Sequence, residues 1–442
     1  MTEWIDAATA ARRLGVKTAT LYSYVSRGVL NRRRAADGRG SRFAAEEVEA
    51  LARRGRPRRR RLPGDLAIES AITEISGSRL EFRGRDAVAL AAAGHPFEDV
   101  AVLLWTGTLP PAAVPGQAAG WQAPAAALAA GRAAQAGLPA GTLPLERLQV
   151  IVPALAAADP FRLQLDPPAV MTAARGIIAG MVDCLPPAAA GEGTGEAPNE
   201  APGGDPVAGG DAAIAAALAG HGPIADGTGI AGRLWPKLCP WPAEPGLLTC
   251  LRSALVMLAD HELAASTFAA RVAASVRADP YAVVATGLGA LGGALHGGAS
   301  LGAETMLAGA AGPADAPRVV GDLLRRGERI PGFGHMVYPE RDPRAEFLLD
   351  AVRAAAPGSA RLAVAEAVLA EVPRRGLPRA NIDFALAVLA GVAGMTRGAG
   401  EAIFAVARTA GWVAHALEEY QRRAPLRPRA IRPGESPGTR HN

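Results

Sequence analysis

At 442 residues, 49% of them hydrophobic, the chain is too long for one small core and has ample apolar surface for two or three domains. Its three cysteines, Cys184, Cys239 and Cys250, show neither paired nor metal-ligand spacing, which excludes a disulfide scaffold and a zinc site and fits a reducing, cytoplasmic location. No apolar run reaches the length of a membrane span, and the first residues lack the basic, apolar and small-residue layout of a leader.

The formal charge of +5 is unevenly placed. Residues 1–61 hold 16 of the 47 Lys and Arg against 6 of the 42 Asp and Glu, a net +10, and the remainder carries −5. Asp6 to Leu14 reads as a short helix stopped by Gly15, and Thr18 caps a second one, Ala19 to Ser26, with Leu21 and Val25 four apart. With Arg32-Arg33-Arg34, Ser41-Arg42-Phe43 and a helix from Ala45 to Arg54 following, the pattern is a helix-turn-helix that resembles the winged-helix module of mercury-resistance-type regulators. Thr20, Ser23, Tyr24 and Arg27 would face a major groove and the arginines would touch phosphates; the plainer reading is a docking or dimer element. Seven arginines in positions 53–61 make a linker able to add non-specific phosphate affinity.

The rest is expected to be all-α: aromatics are 5%, alanine is abundant and β-branched runs are short. A helical run passes through Val100 to Trp105. Pro110–Pro144 and Pro186–Asp211 are low in complexity, and the second, lacking large apolar side chains, is expected to be a disordered insertion. The pattern from Leu247 to Val276 is helical, with Phe268, Val272 and Val276 spaced by four. Gly287-Leu288-Gly289-Ala290-Leu291-Gly292 follows a possible short strand, Tyr281 to Ala285, but no βαβ alternation surrounds it, so a dinucleotide site is rejected. Near the end, Ile403, Val406, Ala407, Ala410, Val413, Ala414 and Leu417 form an apolar stripe, with Arg408 and His415 opposite, either on a solvated face or turned into a cleft.

Three stretches carry the chemistry: Leu295-His296-Gly297-Gly298-Ala299-Ser300, Gly332-Phe333-Gly334-His335-Met336-Val337-Tyr338 running on to Asp342-Pro343-Arg344, and Asn381-Ile382-Asp383-Phe384. Glycines beside both histidines let a ligand and backbone amides approach the imidazoles. A carboxylate and a guanidinium complete a set of base, acids and anion clamp suited to enolisation. Read with His261-Glu262-Leu263-Ala264-Ala265-Ser266-Thr267 and Arg408 to His415, these motifs resemble citrate synthase, in the family's order, from about Leu62 to Pro433.

That resemblance implies the layout. A helix-turn-helix domain at 1–52 and a linker at 53–62 would precede a large helical domain, 63–296, with its insertion at 186–211. A small mobile domain, 297–390, the return of the large domain, 391–435, and a disordered tail, 436–442, would complete the chain. It also implies the reaction: condensation of acetyl-CoA with oxaloacetate and hydrolysis to citrate, with Asp383 as base and His296 and His335 as acids. His261, Arg344, Arg408 and Arg427, the last serving the neighbouring subunit of a homodimer, would bind the dicarboxylate. Backbone at Ile330, Pro331, Gly332, Phe333 and Gly334 would meet the CoA adenine. No metal and no permanently bound cofactor are implied. Met336, Ser300 and Ala264 depart from the residues usual in the family, leaving 2-methylcitrate synthesis from propionyl-CoA and citryl-CoA cleavage as alternatives. A body that senses oxaloacetate or acyl-CoA for a DNA-binding switch is the reading from another class.

Overall fold

The computed structural model describes residues 4–14, 30–34, 41–48, 68–111, 120–189, 229–422 and 424–428. The chain divides into two compact units, Met1–Glu69 and Ser70–Asn442.

In the first unit, β1 (Trp4–Asp6), β2 (Arg32–Arg34) and β3 (Ser41–Ala44) form an antiparallel sheet of order β1-β3-β2, with Ile5 opposite Phe43 and Arg33 opposite Arg42. Alternation along β3 buries Phe43 and leaves Arg42 exposed. Asp6 accepts from Thr9 N at 2.7 Å, starting the helix Ala7–Leu14. Ile5, Ala10, Leu30, Phe43 and Val48 pack as a small core. Thr20, Ser23, Tyr24 and Arg27 lie outside the described residues, as do the linker 53–62 and most of the low-complexity insertion, 190–211.

The second unit opens with a small antiparallel sheet, β4 (Thr73–Ser76), β5 (Arg79–Phe82) and β6 (Arg85–Asp86), where the sequence pattern gave only helix. The rest is mostly helical. Helices Phe97–Thr106, Pro144–Ala157, Pro167–Cys184, Pro245–Leu258, Ala265–Ser275 and Pro280–Leu291 surround the helix Ala399–Gln421. Every residue from Ala399 to Leu417 is buried, as expected of a helix covered on all sides. A second group, Gly298–Ala308, Pro343–Ala355 and Ala360–Arg374, packs on Ile382–Ala393. Among the described residues no helix is long and apolar enough to cross a membrane.

Two expectations are corrected. The segment Tyr281 to Ala285 is not a strand but the start of the helix Pro280–Leu291: Asp279 caps it, accepting from Tyr281 N at 3.0 Å and Ala282 N at 3.1 Å, and Pro280 supplies the preset φ. The glycines of the dinucleotide-like pattern therefore fall inside and after a helix instead of opening one. The helical pattern from Leu247 to Val276 is broken at residues 259–264, where Glu262 takes a left-handed conformation at φ 53° and the chain turns with His261 at the bend.

A buried polar network fastens β4 to the central helix. Thr73 Oγ1 donates to Asp260 Oδ2 at 2.5 Å, and His415 Nε2 lies 3.2 Å from the same oxygen. Arg271 donates to His415 Nδ1 at 2.7 Å, to Glu419 at 2.7 Å and to Glu418 at 2.9 Å, while Glu418 accepts from Ala71 N at 2.9 Å. Because Arg271 can only donate, His415 Nδ1 accepts and its proton sits on Nε2, aimed at Asp260. Asp260 is completely buried, so each of these partners offsets desolvation of its charge.

Candidate active site

The loop carrying His335 is held against the helix bearing Asp383 by Asn381. Its backbone N donates to Gly332 O at 2.9 Å, its Nδ2 donates to Gly334 O at 2.8 Å, and its Oδ1 caps the helix by accepting from Asp383 N at 3.0 Å. Gly332 has φ 78°, and a Cβ there would sit 2.7 Å from Phe384 Cβ, so no other residue lets loop and helix approach this closely. Asp342 adds a second tie, accepting from Ile382 N at 3.1 Å.

Hydrogen bonds fix the tautomer of His335 and hold the ring of His296. His335 Nδ1 accepts from Val337 N at 3.0 Å and Tyr338 N at 3.2 Å, so the neutral ring carries its proton on Nε2. His296 Nε2 lies 2.8 Å from Ser266 Oγ, which in turn accepts from Trp412 Nε1 at 3.3 Å. The indole only donates, so Ser266 keeps its own proton and a lone pair for His296 Nε2; where it donates, the imidazole proton is on Nδ1. Burial pulls both rings down to about 4, with Arg408 adding to the effect at His296 and Arg344 at His335. Both are neutral hydrogen-bond donors near neutral pH. His261 is also held well below its ordinary value, by burial and then by Arg344 and Arg408; its ring centroid is 5.3 Å from that of His335.

Asp383 is the contrasting group. Burial pushes it up to about 7; Arg344 opposes the rise and Asp342 adds to it. Its Oδ1 has no hydrogen-bond partner, and Ser300 Oγ donates to its backbone oxygen at 3.4 Å. A carboxyl poised near neutrality with one free oxygen is suited to taking a proton.

The two arginines are buried, at 2% and 1% exposure for Arg344 and Arg408. Arg344 is met by both oxygens of Asp342, at 2.9 and 2.7 Å. Arg408 donates from Nε to Leu258 O at 2.8 Å and lies over the Phe404 ring, 4.5 Å from its centroid, but its Nη1 and Nη2 have no partners. Burial draws it down to about 10, against the pull of Asp260. Two unpartnered guanidinium nitrogens in a buried site are donors for an anion.

His261, His296, His335, Arg344, Arg408 and Asp383 are therefore brought together. Arg427 is not: it is exposed on a C-terminal segment held by Leu426 N donating to Ser275 Oγ at 3.0 Å. In the Ile330–Gly334 segment, Phe333 bridges to Ala380 and packs on Phe384 at 4.8 Å. Tyr338, Ser266, Trp412 and Asp342 belong to the site without having been singled out from sequence. No group of three or more His, Cys, Asp or Glu able to hold a metal occurs among the described residues.

Residues 62–433 match the family model described as "Citrate synthase, C-terminal domain". The chain belongs to the citrate synthase family. Among relatives, "Putative citrate synthase 2" of Mycobacterium tuberculosis (strain ATCC 25618 / H37Rv) is 40% identical over 204 residues, covering 45% of this chain and 55% of that one. "Citrate synthase" of Haloferax volcanii is 39% identical over 186 residues, covering 41% and 49%. The chain thus spans about half the length of the curated relatives it matches. The citrate synthase of Thermoplasma acidophilum, solved as a ternary complex with carboxymethyl coenzyme A and oxaloacetate, superposes with TM-score 0.63 at 22% identity, over 84% of this chain and 95% of that one, which shows a shared citrate synthase fold.

Proposed function

We propose that the chain condenses acetyl-CoA with oxaloacetate and water to give citrate and CoA. The observation that carries this reading is the half-buried Asp383, whose inward carboxylate oxygen has no partner, in the same site as two neutral histidines. Asp383 takes a methyl proton from the acetyl group while His296 Nδ1–H donates to the thioester oxygen, so an enol forms in place of a costly enolate. The enol carbon attacks the ketone as the enol proton returns to His296 Nδ1, and the ketone oxygen receives the proton of His335 Nε2. Water then gives a proton back to His335 as its oxygen adds to the citryl thioester, and CoA leaves as the thiol with the proton held by Asp383. Arg408, Arg344 and His261 hold the dicarboxylate, Arg427 completes the clamp from the second subunit of a homodimer, and Ile330 to Gly334 meet the adenine of CoA. Residues 297–390 act as the smaller domain.

Thiol release with oxaloacetate and a panel of acyl-CoAs tests this. Release with acetyl-CoA is expected; faster release with propionyl-CoA would favour 2-methylcitrate synthesis, and release with none would leave a sensor of the same ligands.

For the first unit the reading is a winged helix-turn-helix that binds duplex DNA, supported by the net +10 over residues 1–61 and by the β2–β3 pair with Arg32, Arg33 and Arg42 exposed. Retention of DNA by the full-length protein should weaken steeply with salt. Absence of retention at low salt would return the unit to a docking role. Three free, buried cysteines support a cytoplasmic location.

A further inference from the structure

We infer that Tyr338 is a positioning residue of the dicarboxylate clamp, its hydroxyl fixing the orientation of His261 while its ring holds His335 and Arg344. The inference rests on the functional reading above and adds a residue to it. Tyr338 is 3% exposed, and its Oη lies 3.1 Å from His261 Nε2. Its ring packs against His335 with centroids 4.9 Å apart and planes 31° apart, and against His261 at 5.4 Å and 74°. The Arg344 guanidinium carbon lies 5.3 Å from the ring centroid, within cation–π range. One side chain thus touches three of the groups assigned to the substrate.

Tyr338 and His261 share one hydrogen bond between two neutral groups. Burial pushes the phenol up to about 12, and the imidazole is held neutral by burial and two guanidiniums. If the phenol donates, His261 keeps Nδ1–H for a ligand; if the imidazole donates, the phenol O–H is left over. In either case the pair offers the substrate one neutral donor in a fixed direction. Without the hydroxyl, Nε2 of a buried imidazole loses its partner and the ring loses the contact that sets its direction. A space-filling role for Tyr338 makes a different demand, since phenylalanine fills the same space.

The test uses the full-length chain, with oxaloacetate binding read by calorimetry and turnover by CoA release, for wild type, Tyr338→Phe, His261→Ala and the double variant. Tyr338→Phe should raise both the Kd and the KM for oxaloacetate by about tenfold, the cost of disturbing a hydrogen bond at a charged ligand, with a smaller change in kcat and none in the KM for acetyl-CoA. In the His261→Ala background the same change should alter the Kd by less than about twofold, because the partner through which it acts is gone. An unchanged Kd in Tyr338→Phe, or an equal loss in the His261→Ala background, overturns the inference and leaves the functional reading standing. A wild-type protein that binds no oxaloacetate overturns both.

Discussion

Arg344 and Arg408 are equally buried and face the same site, yet one stands in the first turn of a helix whose cap, Asp342, supplies its counter-charge and the other in the middle of a helix that supplies none. Asp342, two residues before Arg344, grips it with both carboxylate oxygens and also caps the helix of Asp383. Arg408, in the middle of the helix Ala399–Gln421, has a carbonyl, an aromatic face and two idle nitrogens. The capped arginine, Arg344, is therefore part of the architecture whether or not an anion is bound. Arg408 carries a desolvation cost that only a ligand removes, and it marks where the negative charge of the substrate is needed most.

The largest effect that would break this contrast is expected from Arg344→Met. It strands the buried Asp342 carboxylate, so chemical denaturation should show a loss of about 3–5 kcal/mol along with loss of turnover. Arg408→Met should weaken oxaloacetate binding by about 2 kcal/mol or more in calorimetry, while the folded protein becomes more stable than wild type. A fall in melting temperature for Arg408→Met as steep as for Arg344→Met would erase the distinction.

Asp342→Asn makes the two arginines alike. With Asp383 as the base of the proposed mechanism, CoA release in wild type should rise with pH through about 7. Removing Asp342 takes away a negative charge that raises Asp383 and frees the guanidinium that lowers it, so the acid limb of the kcat profile should move to lower pH. A limb that stays in place would show that Asp383 does not govern it.

The smallest effect is expected at Glu401, which burial and then Glu304, Glu146 and Asp383 push up to about 7. A carboxyl whose folded value is raised binds its proton more tightly folded than unfolded, so stability falls as pH rises from about 4.5 to 7. Glu401→Gln should therefore be more stable than wild type at pH 8 and equal to it at pH 4, as read by melting temperature. Equal stability at both would refute the linkage.

The site was legible where it lies in short glycine-bounded motifs. His296, His335, Arg344 and Asp383 sit beside residues whose local chemistry is visible in the chain: glycines for close approach, Pro343 at a helix start, Asn381 as a cap. Residues that act across long sequence separations left no such trace. Ser266 meets His296 thirty residues away and Trp412 at a distance of 146, and nothing around Ser266 announces either contact. The break at 259–264 contains no glycine or proline, so periodicity ran through it. Val283 and Val284 suggested a strand, although Asp279-Pro280 already spelled a helix start; the cap deserved more weight than β-branching. The stripe on the last long helix left its opposite face either solvated or turned into a cleft, and the fold buries that helix on all sides from Ala399 to Leu417.

The network beneath β4 decides where the second unit can be separated from what precedes it. A body begun at Glu69 retains Ala71 N for Glu418 and Thr73 Oγ1 for Asp260. One begun at Glu74 loses both, leaving Glu418 to Arg271 alone and Asp260 Oδ2 to His415 alone. Asp260 immediately precedes His261 at the left-handed bend, so those few residues of trimming, remote in sequence from every catalytic motif, would first be felt as a loosened grip on the dicarboxylate.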